Sequence, residues 1–371
     1  MENNTFDLDD WNEEYAKRYT ASTVIQSLYL TVGVIGNLLV IVVYSTKMRS
    51  KNDNRYFIPI LATVDLAGCV VSTTLAFIQD SLPYRYPNSG LCKFVNVMAS
   101  GFIISSIFLL LVISVQRYQK ICRPFGFQMN LTYKRIAGTI ALLLASVLAF
   151  PTIFLYEKIE VVHPTKNITG YRCGPVPNTE TFGEVYRGIV ITAEFTSVVC
   201  MSVLYGLVGH TLITKMKPTR KHHDKKVPIS SPLTDSVDKT LGESGVSETC
   251  VSYTESPLEE NKGDRMQSKP KEDKNSKVRS LTGKQYSVMF MVISLVSILC
   301  FFPPWIFVLL ETKDKTFWNN VSYEEAQVFI IIRRLFVMNY VVNPFIYGFF
   351  DSKFRRHVRQ CFSLKRQNAQ M

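Results

Sequence analysis

The sequence predicts an all-α membrane protein: a bundle of seven transmembrane helices followed by a short amphipathic helix. Hydrophobic residues make up 47% of the 371 residues, yet they are concentrated in seven long segments that dense clusters of charge separate. A soluble domain would instead scatter its charges over amphipathic elements. A membrane β-barrel would show strands of about 10 residues that alternate apolar with polar side chains.

Each apolar segment is long enough to cross the bilayer core, which takes roughly 20 residues of helix. Few charges interrupt these segments: Asp65 lies in the second, Glu194 in the fifth, and Arg333 and Arg334 in the seventh. The seven predicted spans cover approximately residues 24–44, 56–79, 94–116, 136–156, 188–213, 286–310 and 326–350.

The distribution of charge between the spans predicts their orientation. Basic residues dominate the first loop, the second loop and the C-terminal tail, so the positive-inside rule places these in the cytosol. Residues 1–23 are then extracellular, residues 24–350 form the transmembrane domain, and residues 351–371 are cytoplasmic. The first span is expected to act as its own insertion signal. The net charge of +12 reflects this topology and does not indicate nucleic-acid binding.

Two cytoplasmic segments have distinct compositions. The third inner loop, residues 214–285, is rich in Lys, Ser, Asp and Glu, and we expect it to be disordered. Residues 351–362 place apolar and basic side chains on opposite faces of a helix, which predicts an amphipathic helix on membrane lipid. Cys361 at its end is either a palmitoylation site or an unmodified thiol.

The predicted topology assigns the extracellular modifications. Cys92 and Cys173 are the two cysteines on the oxidising side, which predicts a disulfide between them. Three N-x-S/T sequons also fall on this side and are candidate glycosylation sites: Asn3, Asn167 and Asn320.

Polar groups at bilayer depth are costly, so they mark candidate functional sites. Asp65 is the clearest of them, and several polar residues lie at a similar depth. A carboxylate among amides and a hydroxyl can hold Na⁺ or a proton, or can belong to a plain hydrogen-bond network between helices. Pro303 and Pro344 lie deep in their spans, where each removes a helix hydrogen bond and favours a kink. The polar residues that are expected to face Asp65 are Asn37, Ser106, Asn339 and Asn343.

Five ordered motifs give the chain a close resemblance to rhodopsin-like (class A) G-protein-coupled receptors, over nearly its whole length. Cys92 precedes Arg117 by 25 positions, as is usual in the third span of that family. The five motifs are Gly36-Asn37, the segment 61–65 that ends in Asp65, Gln116-Arg117-Tyr118, Cys300-Phe301-Phe302-Pro303 and Asn343-Pro344-Phe345-Ile346-Tyr347.

The resemblance implies a role for several of these residues. Arg117 would engage a heterotrimeric G protein when span six swings outward about Pro303, and Tyr205 and Tyr347 would fill the space that opens. The alternative for Arg117 is a snorkelling arginine at the membrane interface. Receptor kinases and arrestin are further implied partners, and no cofactor is expected other than Na⁺. The implied sodium site consists of Asp65, Ser106, Asn339 and Asn343.

The chain also departs from the family pattern. Gln116 replaces the acid beside Arg117, and the inner end of span six offers no acid, so we expect raised basal activity. Phe301 replaces the usual Trp of span six. The family's Trp in span four and Pro in span five are both absent, with Ser197 near the latter position.

The ligand implied by the resemblance is an extracellular molecule, and a neuropeptide is the class favoured. Ala99 stands where amine receptors place an Asp, and span seven has no Lys for retinal. Arg333, favoured over Arg334 on ideal helix phase, is expected to meet a carboxylate; the alternative is a mutual pair with Glu194. A lipid or small-acid ligand remains an alternative, as does a transporter or channel. A membrane enzyme is not favoured, because no H-E-x-x-H metal motif is present. The candidate pocket residues are Ala99, Ile103, Glu194, Phe301, Trp305 and Arg333.

Overall fold

The structure is a computed structural model that describes residues 6–48, 55–177, 179–216, 272–313, 317 and 321–368. Most of the third inner loop and the sequons at Asn3 and Asn320 lie outside these residues. In chain order the elements are α1 (Leu8–Arg18), α2 (Thr20–Val42), α3 (Phe57–Ser81), α4 (Ser89–Cys122), α5 (Leu131–Ala149), β1 (Tyr156–Val162), β2 (Thr169–Pro175), α6 (Glu180–Met216), α7 (Glu272–Lys313), α8 (Tyr323–Arg333), α9 (Phe336–Phe350) and α10 (Ser352–Asn368).

The helices confirm the predicted seven-helix membrane fold. Six of them, α2 to α7, are each long and apolar enough to cross a bilayer, and α8 together with α9 forms the seventh span. The central helix α4 packs against α3, α5 and α6, and its Ile107, Leu110 and Ile113 are completely buried. On the outside of the bundle, apolar residues such as Leu143 and Val147 are exposed, as expected where hydrocarbon is the solvent.

The seventh span, predicted over residues 326–350 with a kink favoured at Pro344, has its main bend earlier in the chain. Helix α8 ends at Arg333, and α9 begins at Phe336 with a bend of 52° between the two axes. The N–H of Val337 bonds the carbonyl of Arg334, a tighter turn than an α-helix makes. At the break, the side chain of Arg334 donates hydrogen bonds to Asp80 of α3 and to Ser22 of α2. These contacts hold the break against the neighbouring helices.

The end of the bundle that carries α1 and the β-hairpin is here called the outer end. Asp7 caps α1 by accepting hydrogen bonds from the N–H groups of Asp9 and Asp10, and Asp10 bonds back to complete a capping box. Trp11 of α1 is 1% exposed and stacks on Tyr84 with the ring centroids 3.8 Å apart. The predicted N-terminal segment is therefore a docked helix, which the sequence prediction did not include.

The β-hairpin covers the outer ends of the helices. Strands β1 and β2 pair antiparallel, and the predicted disulfide between Cys92 and Cys173 ties β2 to the start of α4. A hydrogen bond from Ser89 and the charge of Lys93 hold the pKa of Glu157 on β1 below its usual value. The sequon residue Asn167 lies in the exposed turn with φ 50°, a left-handed conformation that Asn tolerates.

The opposite, inner end carries α10, which confirms the predicted amphipathic helix. Asp351 caps this helix by accepting from the N–H groups of Lys353 and Phe354. Phe354 is buried and stacks on Tyr44, whereas Arg355 is exposed. The helix therefore anchors itself to the bundle through one face. Cys361 lies in its second half.

Candidate functional site

The six predicted pocket residues, drawn from four elements, line one cavity of about 330 Å³ towards the outer end. Its walls come from α3, α4, α6, α7 and the break between α8 and α9, and Tyr156 at the start of β1 borders it. The predicted pocket residues, which are distant in sequence, therefore meet in one cavity of the folded bundle. The six are Ala99, Ile103, Glu194, Phe301, Trp305 and Arg333.

Glu194 is a buried carboxylate in the wall of this cavity. Its side chain accepts a hydrogen bond of 2.9 Å from Nε1 of Trp305. Within the described part of the chain, no basic side chain lies at ion-pair distance from it. A buried carboxylate held only by a neutral donor is poorly compensated, so this position attracts a cationic group.

The expected alternative of a mutual Glu194–Arg333 pair is wrong. Nε of Arg333 pairs with Glu311 at 2.8 Å, and the Arg333 side chain is 44% exposed. The preference for Arg333 over Arg334 also needs correction, because both residues line the cavity. The break after α8 resets the helix phase, and an ideal helix could not predict that. Arg334 forms a buried ion pair with Asp80.

The predicted sodium-site residues form one buried hydrogen-bond chain at the centre of the bundle. Nδ2 of Asn343 donates to one oxygen of Asp65 at 2.7 Å, and Oγ of Ser106 lies 3.4 Å from the other. Nδ2 of Asn339 donates to Oγ of Ser106 at 3.2 Å. The amide oxygen of Asn343 is buried and has no hydrogen-bond partner among the described residues. A carboxylate beside a free amide oxygen is an oxygen-rich donor set that fits a small hard cation.

The edge of this cluster differs from the sequence prediction. Asn37 does not bond Asp65; its Nδ2 donates to the carbonyls of Gly33 and Tyr340. Ser297 extends the cluster instead, since its hydroxyl donates to Oδ1 of Asn339 at 2.6 Å. Its position next to the middle of span six, as a polar residue at bilayer depth, is the sequence signal that could have found it.

Arg117 lies at the inner end of α4, enclosed by the bundle rather than snorkelling outwards. It is 1% exposed, and its guanidinium carbon lies 4.8 Å from the centroid of the Phe290 ring on α7. One terminal nitrogen lies 3.4 Å from the side-chain oxygen of the adjacent Gln116. The interfacial alternative is therefore wrong for this conformation. Tyr118, the last residue of the motif, is half-buried.

The remaining predicted switch residues lie on α6, α7 and α9. Tyr205 of α6 and Tyr347 of α9 are both buried, and so is Phe301. Pro303 lies inside α7, which continues past it, and Pro344 lies inside α9. Phe301 lines the outer cavity and Tyr205 lies near Arg117, so the set reaches from one end of the bundle to the other. Their roles in activation stay predictions.

A second, larger cavity of about 930 Å³ opens on the membrane-facing side between α4, α5 and α6. Its lining is almost entirely apolar and includes Ala141 and Ser197. The hydroxyl of Ser197 bonds the carbonyl of Ala193 in its own helix, so it offers little to a ligand. The outer cavity, with its charged walls, is therefore the better candidate for recognition.

Comparison with known proteins agrees with this arrangement. The family model described as 7 transmembrane receptor (rhodopsin family) matches residues 36–347. The chain belongs to the rhodopsin family of seven-transmembrane receptors. This confirms the resemblance, and it weighs against a transporter, a channel or a membrane enzyme.

Individual relatives of the receptor are peptide and chemokine receptors. The neuromedin-K receptor of Rattus norvegicus is 31% identical over 186 residues, which cover 50% of this chain and 40% of that receptor. The cholecystokinin receptor type A of Cavia porcellus is 24% identical over 348 residues, 90% of this chain and 78% of that receptor. The C-C chemokine receptor type 9 of Ovis aries is 30% identical over 239 residues, 62% and 63% respectively. The chain thus spans less than half the length of the neuromedin-K receptor it matches.

Proposed function

We propose that this receptor binds an extracellular peptide in the outer cavity and activates a heterotrimeric G protein at its inner end. The observation that carries the proposal is the convergence of six predicted residues, including the buried Glu194, on one cavity. The outer end faces the extracellular side of the plasma membrane in this proposal, because basic residues dominate the loops of the inner end.

A peptide with a basic group is the ligand class that the charges favour. Glu194 offers a buried carboxylate to such a group inside the cavity. Helix α1 carries four acidic side chains against two basic ones at the outer end. Asp9 pairs with Arg85 and Glu13 with Lys17, so the net negative charge of the helix, rather than a free carboxylate, favours the approach of a basic peptide. The relatives that are named as receptors for neuromedin K and cholecystokinin support a peptide ligand in general.

The proposed mechanism is a shift of population between two bundle conformations. In the active one the inner half of α7 moves outwards about Pro303, so that the buried Arg117 becomes available to the G protein. Tyr205 and Tyr347 then fill the space left behind. To raise the active conformation from 1% to 99% of the population, an agonist must bind it about 5.5 kcal/mol more strongly than the inactive conformation.

The central cluster around Asp65 holds Na⁺ in the inactive conformation under this proposal. A cation there compensates the buried carboxylate, which is otherwise costly in a bilayer. Receptor kinases and arrestin would act on the inner end after activation, and α10 would rest on membrane lipid through its exposed basic face.

A cell assay with matched variants tests the ligand class. Cells that express the receptor and a promiscuous G protein are screened with a peptide panel, and each hit is titrated on wild type, Glu194→Gln and Glu184→Gln. Glu184 is exposed on α6 and does not line the cavity, so it is the matched control. We expect at least a tenfold loss of potency for Glu194→Gln alone, since hydrogen bonds to charged groups contribute about 1.5–3 kcal/mol.

The same assay separates the alternatives. Equal potency on all three proteins, at equal surface expression, would contradict the role of Glu194. A response to lipids or small acids and to no peptide would replace the peptide by the second ligand class. That class has one observation in its favour, namely the arginines in the cavity wall.

A further inference from the structure

The four charged side chains that line the outer cavity differ in how they are compensated. Arg333 pairs with Glu311, Arg334 pairs with Asp80, and Glu194 accepts from Trp305. Arg187 is the exception: among the described residues it has neither an ion-pair partner nor a hydrogen-bond partner, and its Nε is buried. It lies one residue before the predicted fifth span and is not among the six residues predicted to line the pocket.

The helix α6 makes room for this guanidinium. Gly183 precedes Arg187 by one helical turn, and a Cβ there would meet Nη1 of Arg187 at 3.3 Å and a methyl group of Leu155 at the same distance. The absence of a side chain at Gly183 lets the guanidinium fold back against the helix. Arg187 is therefore held at the cavity wall rather than extended into water.

The buried Nε of Arg187 is a desolvated donor without an acceptor, which is unfavourable, while the terminal nitrogens of the same guanidinium stay accessible at the cavity wall. Guanidinium groups bind carboxylates in a two-pronged geometry that few other groups can match. The unused donors of Arg187 thus fit a carboxylate brought by the ligand.

Arg187 and Glu194 are seven residues apart on α6, so they lie on the same face of the helix with about 10 Å of axial separation. Both line the cavity, and neither has an opposite charge as partner within the described residues. The cavity therefore presents a cation nearer its outer mouth and an anion about two turns deeper.

We infer that Arg187 is the anion-binding residue of the outer cavity and receives a carboxylate of the peptide ligand, while Glu194 receives a basic group about 10 Å deeper. The inference rests on the proposed peptide-binding function and adds the charge pattern of the peptide. It replaces Arg333 in the role of carboxylate partner, since Arg333 already pairs with Glu311. The carboxylate is either an acidic side chain or the free C-terminus.

Affinity selection with purified receptor in detergent tests the inference without signalling. Two synthetic peptide libraries of the same composition are used, one with free C-terminal carboxylates and one with C-terminal amides. Retained peptides are sequenced by mass spectrometry for wild type, Arg187→Gln, Arg187→Lys and Arg172→Gln. Arg172 is exposed on β2 outside the cavity and serves as the matched control.

We expect wild type and Arg172→Gln to retain carboxylate-bearing peptides about tenfold more than neutral ones, and Arg187→Gln to lose this preference. Arg187→Lys keeps the positive charge, so it should retain part of the preference for carboxylate-bearing peptides. This variant provides the comparison with wild type if Arg187→Gln fails to fold. A preference confined to the free-acid library assigns the carboxylate to the C-terminus, and a preference for Asp or Glu in both libraries assigns it to a side chain.

Two results would overturn the inference alone: an acidic preference that is equal in wild type and Arg187→Gln, or retained peptides with no acidic preference on wild type. If wild-type receptor retains no peptide from either library, the proposed function itself fails and the inference fails with it. The three outcomes are distinguishable from the sequenced peptides.

Discussion

The hydroxyl of Tyr286 on α7 donates a hydrogen bond of 2.7 Å to Oδ2 of Asp351, the residue that caps α10. Tyr44 of the turn after α2 donates to the same oxygen at 2.9 Å, and Arg55 lies 3.6 Å from it. All four side chains are buried. The inner half of α7 is therefore tied to the start of α10 by a charged network. The network lies at the inner end of the bundle, where Gln116 replaces the acid that the family usually places beside Arg117.

We predict that Tyr286→Phe raises ligand-free signalling severalfold. Its hydroxyl joins α7 to a buried carboxylate, and hydrogen bonds to charged groups contribute about 1.5–3 kcal/mol, so its loss favours outward movement of α7. The measurement is second-messenger output without ligand at matched surface expression. Tyr133→Phe, at an exposed tyrosine of α5, is the control. Unchanged output for Tyr286→Phe would mean that this network does not restrain activation.

Gln116→Asp is expected to lower ligand-free output. An acid at this position stands directly beside Arg117, whose terminal nitrogen already lies 3.4 Å from the Gln116 side chain, and it would hold the arginine in the buried conformation. Gln116→Asn keeps the position neutral and serves as the control. Equal output from wild type and Gln116→Asp would count against raised basal activity in this receptor.

Sodium is expected to stabilise the purified receptor, and Asp65→Asn is expected to abolish the effect. A site filled at about five times its Kd contributes about 1 kcal/mol to the stability of the bound conformation. The measurement is the thermal unfolding midpoint in NaCl against KCl at equal ionic strength. A sodium-dependent midpoint that persists in Asp65→Asn would place the cation elsewhere.

Asp80→Asn is expected to destabilise the receptor by about 3–5 kcal/mol, because it leaves Arg334 as a buried charge without its carboxylate. Adding Arg334→Gln to this variant should recover part of the loss, which a double-mutant cycle of unfolding in detergent measures. Arg333→Gln is the comparison, since its pair with Glu311 is partly exposed and should contribute only about 0–1 kcal/mol. Additive effects of Asp80→Asn and Arg334→Gln would show that the pair is not coupled.

Hydropathy and motif spacing predict the spans, the six cavity residues and most of the central cluster, from which Ser297 was missing and in which Asn37 was wrongly included. A membrane span can be recognised by counting the apolar residues in one stretch of sequence. Motifs at known positions on neighbouring helices predict which side chains meet, as for Asp65 and Asn343. The break after Arg333 could not be predicted from local sequence, because it depends on contacts of Arg334 with Asp80 and Ser22 on other helices. Arg187 was missed for a similar reason: its lack of a partner is a property of the folded cavity.

The docked helix α1 was missed although its signal is present. Asp7 followed three residues later by Asp10 is a capping box, and α1 ends with Lys17 and Arg18, as the helix dipole favours. An isolated helix of 11 residues is marginal in water, so only its tertiary contacts make it persist.

The stacking of Trp11 on Tyr84 gives the receptor an intrinsic optical reporter. The chain has three tryptophans, and Trp11 is shielded from water by the outer loops while it remains stacked. Lifting α1 away would wet this indole and shift its fluorescence to longer wavelength. Emission spectra of wild type and Trp11→Phe can therefore follow whether ligands displace the N-terminal helix, with no attached dye.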